Sequence, residues 1–523
     1  MKAFQKNRYF PDAYVPAGVS STSRIWAIPP LVLFGLVATV GIVGLAERYS
    51  GEMAILLILA VPAVLLLVGA GLSGALRRVR VLAVRLTWWH ILWALIFASA
   101  LVFRQRSVSQ IETNLLDAWA IYRVSLDLIV GVILFTRLAL RRPPFGGSMF
   151  QGFLGAMTVF AFVCMVSSVW SVFPAWTLFK SVEYLLSLAL LAAILETAKS
   201  VQDFKSLFNW TWVLYGLLLV SVWIGAILWP QPALHPIGLP RDALLGVRLS
   251  GVFPNQSAEG VGVFGAMLGL ICLCRLLPLG RDRRGSVWYF PVLAASIITM
   301  ILSQTRVAVG GFLLGAFLIL FLSKRLRLGT VMTFIVGPVL LLTGVGSVVW
   351  AFLKRGEDYQ ALTTLSSRIV WWTFAWHKFL ERPLTGYGAY AGERFAVMAK
   401  LGMGTTSSLH SDYLGILIGT SIWGLIPFLA ALIGIWWFLI VNFRRHSGTG
   451  PERQLAYEAI AVLALLSVNS LLVPMFSWQA PLYFLVILGY AEFLRRRQLR
   501  PIPVSIHVIK DRVPQPEAVP SNA

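Results

Sequence analysis

The chain is built from apolar runs that are too long and too numerous for a water-soluble core. They lie near 25–46, 53–75, 86–103, 118–137, 150–169, 176–195, 207–229, 257–274, 287–303, 307–322, 330–353, 412–442, 455–473 and 480–494. At a helical rise of about 1.5 Å per residue, each crosses, or nearly crosses, a hydrocarbon layer of about 30 Å. In lipid every backbone N–H and C=O must find an internal partner, so runs of this length are expected to span as helices. The fold expected is an all-α polytopic membrane protein with about 12–14 transmembrane helices and one large polar loop. Composition agrees: 13% of residues are charged and 58% are hydrophobic, where a soluble domain carries about 25% charged. The run from 412 is over-long and reads as broken at Gly419-Thr420. The run 25–46 exceeds a signal-peptide core, and its Gly44-Leu45-Ala46 end reads as an uncleaved anchor.

The formal net charge is +22. Lys and Arg fall in short clusters between apolar runs, so the excess reads as the positive-inside rule and no nucleic-acid partner is expected. With residues 1–24 in the cytoplasm, the inner connections carry Arg77-Arg78-Val79-Arg80, Arg141-Arg142, Arg281 to Arg284, Lys324-Arg325, Arg444-Arg445 and Arg495-Arg496-Arg497. Both termini are then cytoplasmic. Outward lie the 230–256 loop, the short Gln304-Thr305-Arg306 turn and the long polar segment 354–409. The divisions expected are a cytoplasmic tail 1–24, N-terminal helices 25–150, core helices 151–353, the loop 354–409, C-terminal helices 410–494 and a cytoplasmic tail 495–523. From Leu499 that tail is Pro-rich and is expected to be disordered.

Other patterns limit the chemistry. Cys164, Cys272 and Cys274 lie within apolar runs, so neither a disulfide nor a thiolate metal site is expected. No Gly-x-x-x-x-Gly-Lys-Ser/Thr phosphate loop, no Asp-x-Asp pair and no useful metal-ligand spacing occurs, and no cofactor is expected. The pairs Gly265/Gly269, Gly311/Gly315 and Gly415/Gly419 read as close helix packing.

Four basic residues on the outward side escape the positive-inside rule: Arg248, Arg306, Arg368 and Lys180, the last with Glu183 at i+3. A guanidinium is a planar fork that matches a diphosphate bidentately. Taken singly, each arginine is better read as an interfacial residue held by ordinary lipid headgroups. Three at one membrane face, flanking one aromatic-rich polar loop, point to a bound anion. Ser366-Ser367 is expected to cap a helix from Arg368 to about Arg382, stopped by Pro383. His410 is expected to begin a helix capped by Ser407 or Ser408, with Tyr413 and Leu414 on its face. A neutral imidazole there takes a proton near pH 7, or is a structural interfacial histidine. Glu259 reads as an ion-pair partner of Arg248 or Arg306, with a role as base the rival reading. Trp371, Trp372 and Trp376 suit either sugar stacking or the interfacial aromatic belt.

Several segments together carry a resemblance. They are Arg248-Leu249-Ser250-Gly251-Val252-Phe253-Pro254-Asn255, Ser303-Gln304-Thr305-Arg306, Ser367-Arg368 with Trp371 or Trp372, Arg382-Pro383-Leu384-Thr385-Gly386-Tyr387-Gly388, and His410-Ser411-Asp412-Tyr413. In their order and their placement among the spans, they resemble the O-antigen ligase and polysaccharide polymerase family of bacterial inner-membrane glycosyltransferases. The family usually shows His-Asn where this chain has His410-Ser411. The resemblance implies a GT-C-like fold with a periplasmic active site in the bacterial inner membrane. It implies a donor glycan on undecaprenyl diphosphate and a metal- and ATP-independent transfer to a sugar hydroxyl. Arg248, Arg306, Arg368 and Lys180 would hold the diphosphate, His410 with Arg306 and Arg248 would serve catalysis, and Trp371, Trp372, Tyr413 and Tyr387 would contact sugar. Partners implied are the lipid-linked glycan, membrane lipids, a polysaccharide or lipid A-core acceptor, and other polysaccharide-assembly proteins.

Two acceptors stay open within that family. A polymerase extends an exopolysaccharide-type or O-antigen-type repeat, and is the reading preferred; a ligase delivers to lipid A-core. A different class, a lipid-linked-glycan flippase, needs ionisable groups at membrane depth and two related halves. Asp127 is the main acidic residue well inside a run, and no internal repeat is visible.

Overall fold

The computed structural model describes residues 86–101, 106–140, 146–236, 247–277, 289–323, 350–352, 354, 359–403, 408–445, 451–476 and 482–499. The runs 25–46 and 53–75, nearly all of 330–353, the clusters Arg77 to Arg80 and Arg281 to Arg284, and the Pro-rich tail lie outside the described residues.

The protein is mostly helical. Among the described residues the principal helices are α1 (Trp88–Leu101), α2 (Val108–Thr113), α3 (Ala118–Ala139), α4 (Gly152–Val166), α5 (Pro174–Thr197) and α6 (Val201–Leu228). A small antiparallel pair follows, β1 (Leu234–Pro236) and β2 (Val247–Leu249). Then come α7 (Ala258–Leu276), α8 (Tyr289–Leu302), α9 (Arg306–Leu322), α10 (Arg368–Glu381), a π-helix (Gly392–Met398), α11 (Asp412–Arg445), α12 (Pro451–Asn469) and α13 (Leu482–Leu499). Among the described residues six helices, one of them α4 continued through a 3-10 turn to Trp170, are long and apolar enough to cross a membrane, so the architecture is that of a polytopic α-helical membrane protein. Several helices begin and end within a few residues of the apolar runs, and two start at side-chain caps: Asp117 caps α3 and Ser257 caps α7 through bonds to Ala120 and Gly260.

Side-chain burial separates interior from lipid-facing surface. α3 exposes Leu128, Ile129, Val132 and Phe135, the last at 70%, a face that suits lipid rather than water. The interior gathers Phe160, Tyr184, Phe208, Phe428, Tyr457 and Tyr483 between α4, α5, α6, α11, α12 and α13. Gly265/Gly269 and Gly311/Gly315 bring helices close, as expected, whereas Gly415/Gly419 instead meets the Glu393 carboxylate and the Gly388–Ala389 backbone. A Cβ on Gly265 would come 2.9 Å from the Ser296 carbonyl of α8, and one on Gly315 would come 3.0 Å from the Ala461 carbonyl of α12.

Segments that the charge pattern puts on the outward side gather at one end of the bundle. There β2, the Ser303–Thr305 turn, α10 and the start of α11 meet. At the opposite end Arg496 pairs with Glu196 at 3.0 Å, and Arg275 of α7 pairs with Glu458 of α12 at 2.9 Å.

α11 is broken, but at Ser421 rather than Gly419-Thr420. Ser421 has φ 59° and ψ −156°, a region that costs an L-residue strain. The break withholds helical partners from the Ile418 and Gly419 carbonyls. The N–H groups of Tyr387 and Gly388 supply them, each at 2.9 Å. Ser421 Oγ in turn donates to the Pro383 carbonyl. Irregular backbone at membrane depth is tolerated where protein satisfies it, and here the Arg382–Gly388 turn does so. The other side of that turn docks on the α4–α5 junction: Trp170 Nε1 donates to the Thr385 carbonyl at 2.7 Å and Thr177 Oγ1 to the Ala389 carbonyl at 2.8 Å.

Candidate functional site

Four separate segments place one carboxylate among three cationic or ionisable side chains. Ser257 Oγ accepts the Gly260 N–H, starts α7, and fixes Glu259 in its first turn. β2 pairs with β1 in the register His235↔Arg248 and Leu234↔Leu249. Leu249 is fully buried, so pleat alternation turns Arg248 away from that apolar contact. Arg248 Nε donates to the Ser303 carbonyl at 3.2 Å, and its Nη2 lies 3.9 Å from Glu259 Oε1. Arg368, the first residue of α10, donates from Nη2 to the same Oε1 at 3.1 Å. His410 Nδ1 lies 3.4 Å from Glu259 Oε2, close to the carboxylate but without an aligned hydrogen bond.

The Ser303–Thr305 turn is buried and pinned to the start of α7, where Thr305 Oγ1 donates to the Ala258 carbonyl at 3.1 Å. Gly262 makes that approach possible, since a Cβ there would collide with Ser303 and Thr305 side chains. Arg306 follows at the start of α9 and donates from Nη2 to the Lys354 carbonyl at 3.2 Å.

Left-handed backbone accompanies three of these segments. Gln304 has φ 53°, two residues before Arg306. Leu365, Ser366 and Ser367 have φ 50°, 56° and 70°, immediately before Arg368, and His410 itself has φ 55°. Such residues cost about 1–3 kcal/mol each and persist where surrounding structure holds them. This geometry corrects two expectations. Ser367 does precede α10, but its left-handed backbone turns its side chain out of capping position and it makes no capping bond. α11 begins at Asp412, not His410. With φ 55°, His410 lies outside the helix, so it shares no helical face with Tyr413 and Leu414. Ser407 lies outside the described residues, and Ser408 Oγ accepts the His410 N–H at 3.4 Å.

The strained His410 segment is held from both sides. Trp372 Nε1 donates to the Leu409 carbonyl at 3.0 Å. The Leu409 N–H donates to Glu393 Oε2 at 3.1 Å. The Asp412 N–H donates to the Ser470 carbonyl at 3.0 Å, and the Asp412 carboxylate accepts the Met475 and Phe476 N–H groups at 2.6 and 2.9 Å. The Trp371 ring lies 5.9 Å from the imidazole, tilted by 30°. Desolvation lowers the His410 pKa from its ordinary 6.5; Glu259 opposes that shift, and the Arg368 and Arg248 charges reinforce it. The imidazole is therefore neutral at pH 7 and able to accept a proton.

Arg248, Arg368, His410, Trp371 and Trp372 are thus brought to one place, with Arg306 on the adjoining turn. Lys180, Tyr387 and Tyr413 find partners elsewhere. Lys180 is buried against Glu183 at 3.1 Å, and Glu183 also pairs with Arg123 of α3. Tyr387 OH donates to Glu381 at 2.8 Å under the Arg382 guanidinium; burial and that carboxylate push the phenol up to about 12. Tyr413 OH accepts from Ser470 Oγ at 3.1 Å. Trp376 is exposed on α10 at 48%.

Glu259 is the hub that the sequence does not announce. Of the two partners expected for it, Arg248 or Arg306, the pairing with Arg248 is present; Arg368, 109 residues away in the chain, is a partner the sequence did not suggest. Glu393 was missed altogether. It is buried in the π-helix, and a Cβ on Gly415 would come 2.9 Å from its carboxylate. A lone acidic residue in a polar loop carries no sign of that burial.

A family model described as O-antigen ligase matches residues 291–429. The match takes in the Ser303–Arg306 turn, α10, His410 and the broken part of α11, and it leaves Arg248 and Glu259 outside. No match to a curated protein was found.

Proposed function

We propose that this protein is a membrane glycosyltransferase that moves a glycan from undecaprenyl diphosphate to a sugar hydroxyl at the outer face of the bacterial inner membrane. On this reading the whole chain carries 12–14 spans of GT-C-like type, with both termini cytoplasmic and 354–409 as its periplasmic loop. The observation that carries the proposal is the meeting of Arg248, Arg368 and neutral His410 around Glu259, two of the four within a segment that matches an O-antigen ligase model.

The chemistry follows from the charges. The acceptor oxygen attacks the anomeric carbon while the bond from that carbon to the diphosphate oxygen breaks. The electron pair leaves with the diphosphate, whose growing negative charge needs fixed cations. Arg248 and Arg368 supply two, and Arg306 a third from the adjoining turn. The acceptor proton passes to His410, a step worth about 10²–10⁴ in rate when a base is positioned for it. Trp371 borders the imidazole and Trp372 bonds the neighbouring Leu409 carbonyl, and both offer faces for a sugar ring. The glycosyl–diphosphate bond supplies the driving force, so no nucleotide enters.

Polymerisation of repeat units is the preferred outcome, with transfer to lipid A-core the alternative. Purified protein is mixed with one synthetic undecaprenyl-diphosphate repeat unit, in chelator and without nucleotide. A ladder of longer lipid-linked chains is expected. Transfer seen only after lipid A-core is added would make the protein a ligase. A specific observation favours a flippase instead: Arg123, Lys180, Glu183 and Asp127 lie together within the apolar helices α3 and α5. Donor binding without transfer to any acceptor would favour that reading.

A further inference from the structure

We propose that Glu259 is the resident counter-anion of the arginine cluster and that it changes partners when a diphosphate enters, yielding the guanidiniums to the ligand and closing on His410 Nδ1. This rests on the reading of the site given above and adds a positioning residue to it.

The two oxygens of one carboxylate carry the inference. Oε1 accepts from Arg368 at 3.1 Å and lies 3.9 Å from Arg248. Oε2 faces His410 Nδ1 at 3.4 Å, and that nitrogen is buried with no hydrogen bond. The carboxylate is therefore engaged with the cations and falls short of the imidazole. Its side chain is 23% exposed, so an entering ligand can reach it. A diphosphate brings at least two negative charges to the same guanidiniums. Sharing them with Glu259 would set like charges side by side in a partly desolvated site, which is unfavourable. Fixed at the first turn of α7, the displaced carboxylate has His410 as its next neighbour.

Closing the remaining gap has a chemical consequence. A carboxylate bonded to Nδ1 keeps the proton on that nitrogen, which leaves Nε2 as the base and sets the ring orientation. When Nε2 takes the acceptor proton, the imidazolium is already paired. Occupation of the diphosphate site then prepares the base, so His410 is oriented only when a leaving group is held. His410 has φ 55°, and the Leu409 backbone before it is held by Trp372 and Glu393, so the segment has little freedom to move toward Glu259 and the carboxylate is the partner that moves.

Full-length protein in detergent, wild type, Glu259→Gln and Glu259→Asp, is titrated with inorganic diphosphate by calorimetry and assayed for turnover at saturating lipid-linked donor. Glu259→Gln removes the competing charge and is expected to bind diphosphate about tenfold more tightly, as a coupling of ordinary size. Its turnover is expected to fall about 100-fold, the loss of an oriented base. Glu259→Asp keeps the charge and is expected to return affinity to wild type with part of the turnover. Unchanged or weaker diphosphate binding by Glu259→Gln would show that the carboxylate supports the arginines instead of competing for them, and would overturn the proposal. Tighter binding with undiminished turnover would overturn the exchange with His410. Tighter diphosphate binding by Glu259→Gln, in a protein that neither binds nor transfers a lipid-linked glycan, would keep the counter-anion role and remove the donor proposed above.

Discussion

At the scale of single residues, the site works through differences between similar groups. Arg306→Lys keeps a positive charge but loses the planar fork. Most transfer activity is expected to disappear while the protein still inserts and folds, measured as product formed per folded protein; near-normal product would remove Arg306 from the diphosphate clamp. His410→Ala is expected to abolish turnover and leave donor binding intact, and equal loss of both would make His410 structural. The pH dependence has a definite sign. The folded imidazole has its pKa below 6.5, so it stays neutral as pH falls past the point where an unfolded histidine protonates. The acidic limb of the rate profile is therefore expected below pH 6.5, and it moves lower still in Glu259→Gln, because Glu259 is the group that raises the value. The same displacement costs stability as pH drops below 6.5, since only the unfolded chain takes up the proton there. A limb at or above 6.5 would leave the proton to another group.

At the scale of elements, the broken helix and the turn that repairs it act as one unit. The Arg382–Gly388 turn satisfies carbonyls that the break in α11 releases, and it can do so only because Gly386 takes φ 67°. A Cβ there would also come 2.6 Å from the Gly419 carbonyl and 2.7 Å from that of Ile418. Gly386→Ala is therefore expected to cost about 1–3 kcal/mol of stability, seen as a lowered Tm in detergent; an unchanged Tm would mean the turn is not rigidly docked. The strong elements were legible in sequence. α3, α5, α7 and α9 coincide closely with apolar runs, because hydropathy and charge at the ends set helix length in a membrane. The weak ones were not. The β1–β2 pair, the π-helix and the left-handed residues before Arg368 depend on tertiary partners and leave no periodic signal.

At the scale of the whole molecule, the ends of the helices sort into two groups, and the charge pattern assigns each a side. A cysteine in place of exposed Thr373 on α10 and one in place of exposed Gln202 on α6 test that assignment. Cys164, Cys272 and Cys274 are buried, so background labelling is low. In intact cells a membrane-impermeant maleimide is expected to label Thr373→Cys and spare Gln202→Cys. The reverse pattern would place the site in the cytoplasm and remove the periplasmic donor.

The sequence by itself determined the class of protein, the position of the apolar helices that the structure describes, and which cations needed an explanation beyond clustered positive charge. Those features are local sums of hydropathy and charge, and local sums survive without a fold. Only the tertiary structure decided which cations share an anion. Arg248, Glu259, Arg368 and His410 belong to four segments spread over more than 160 positions, and charge attraction between them depends on distances that chain order does not encode. The same holds for Lys180, which matches the site arginines in charge and sidedness yet spends its charge on Glu183 one helical turn away.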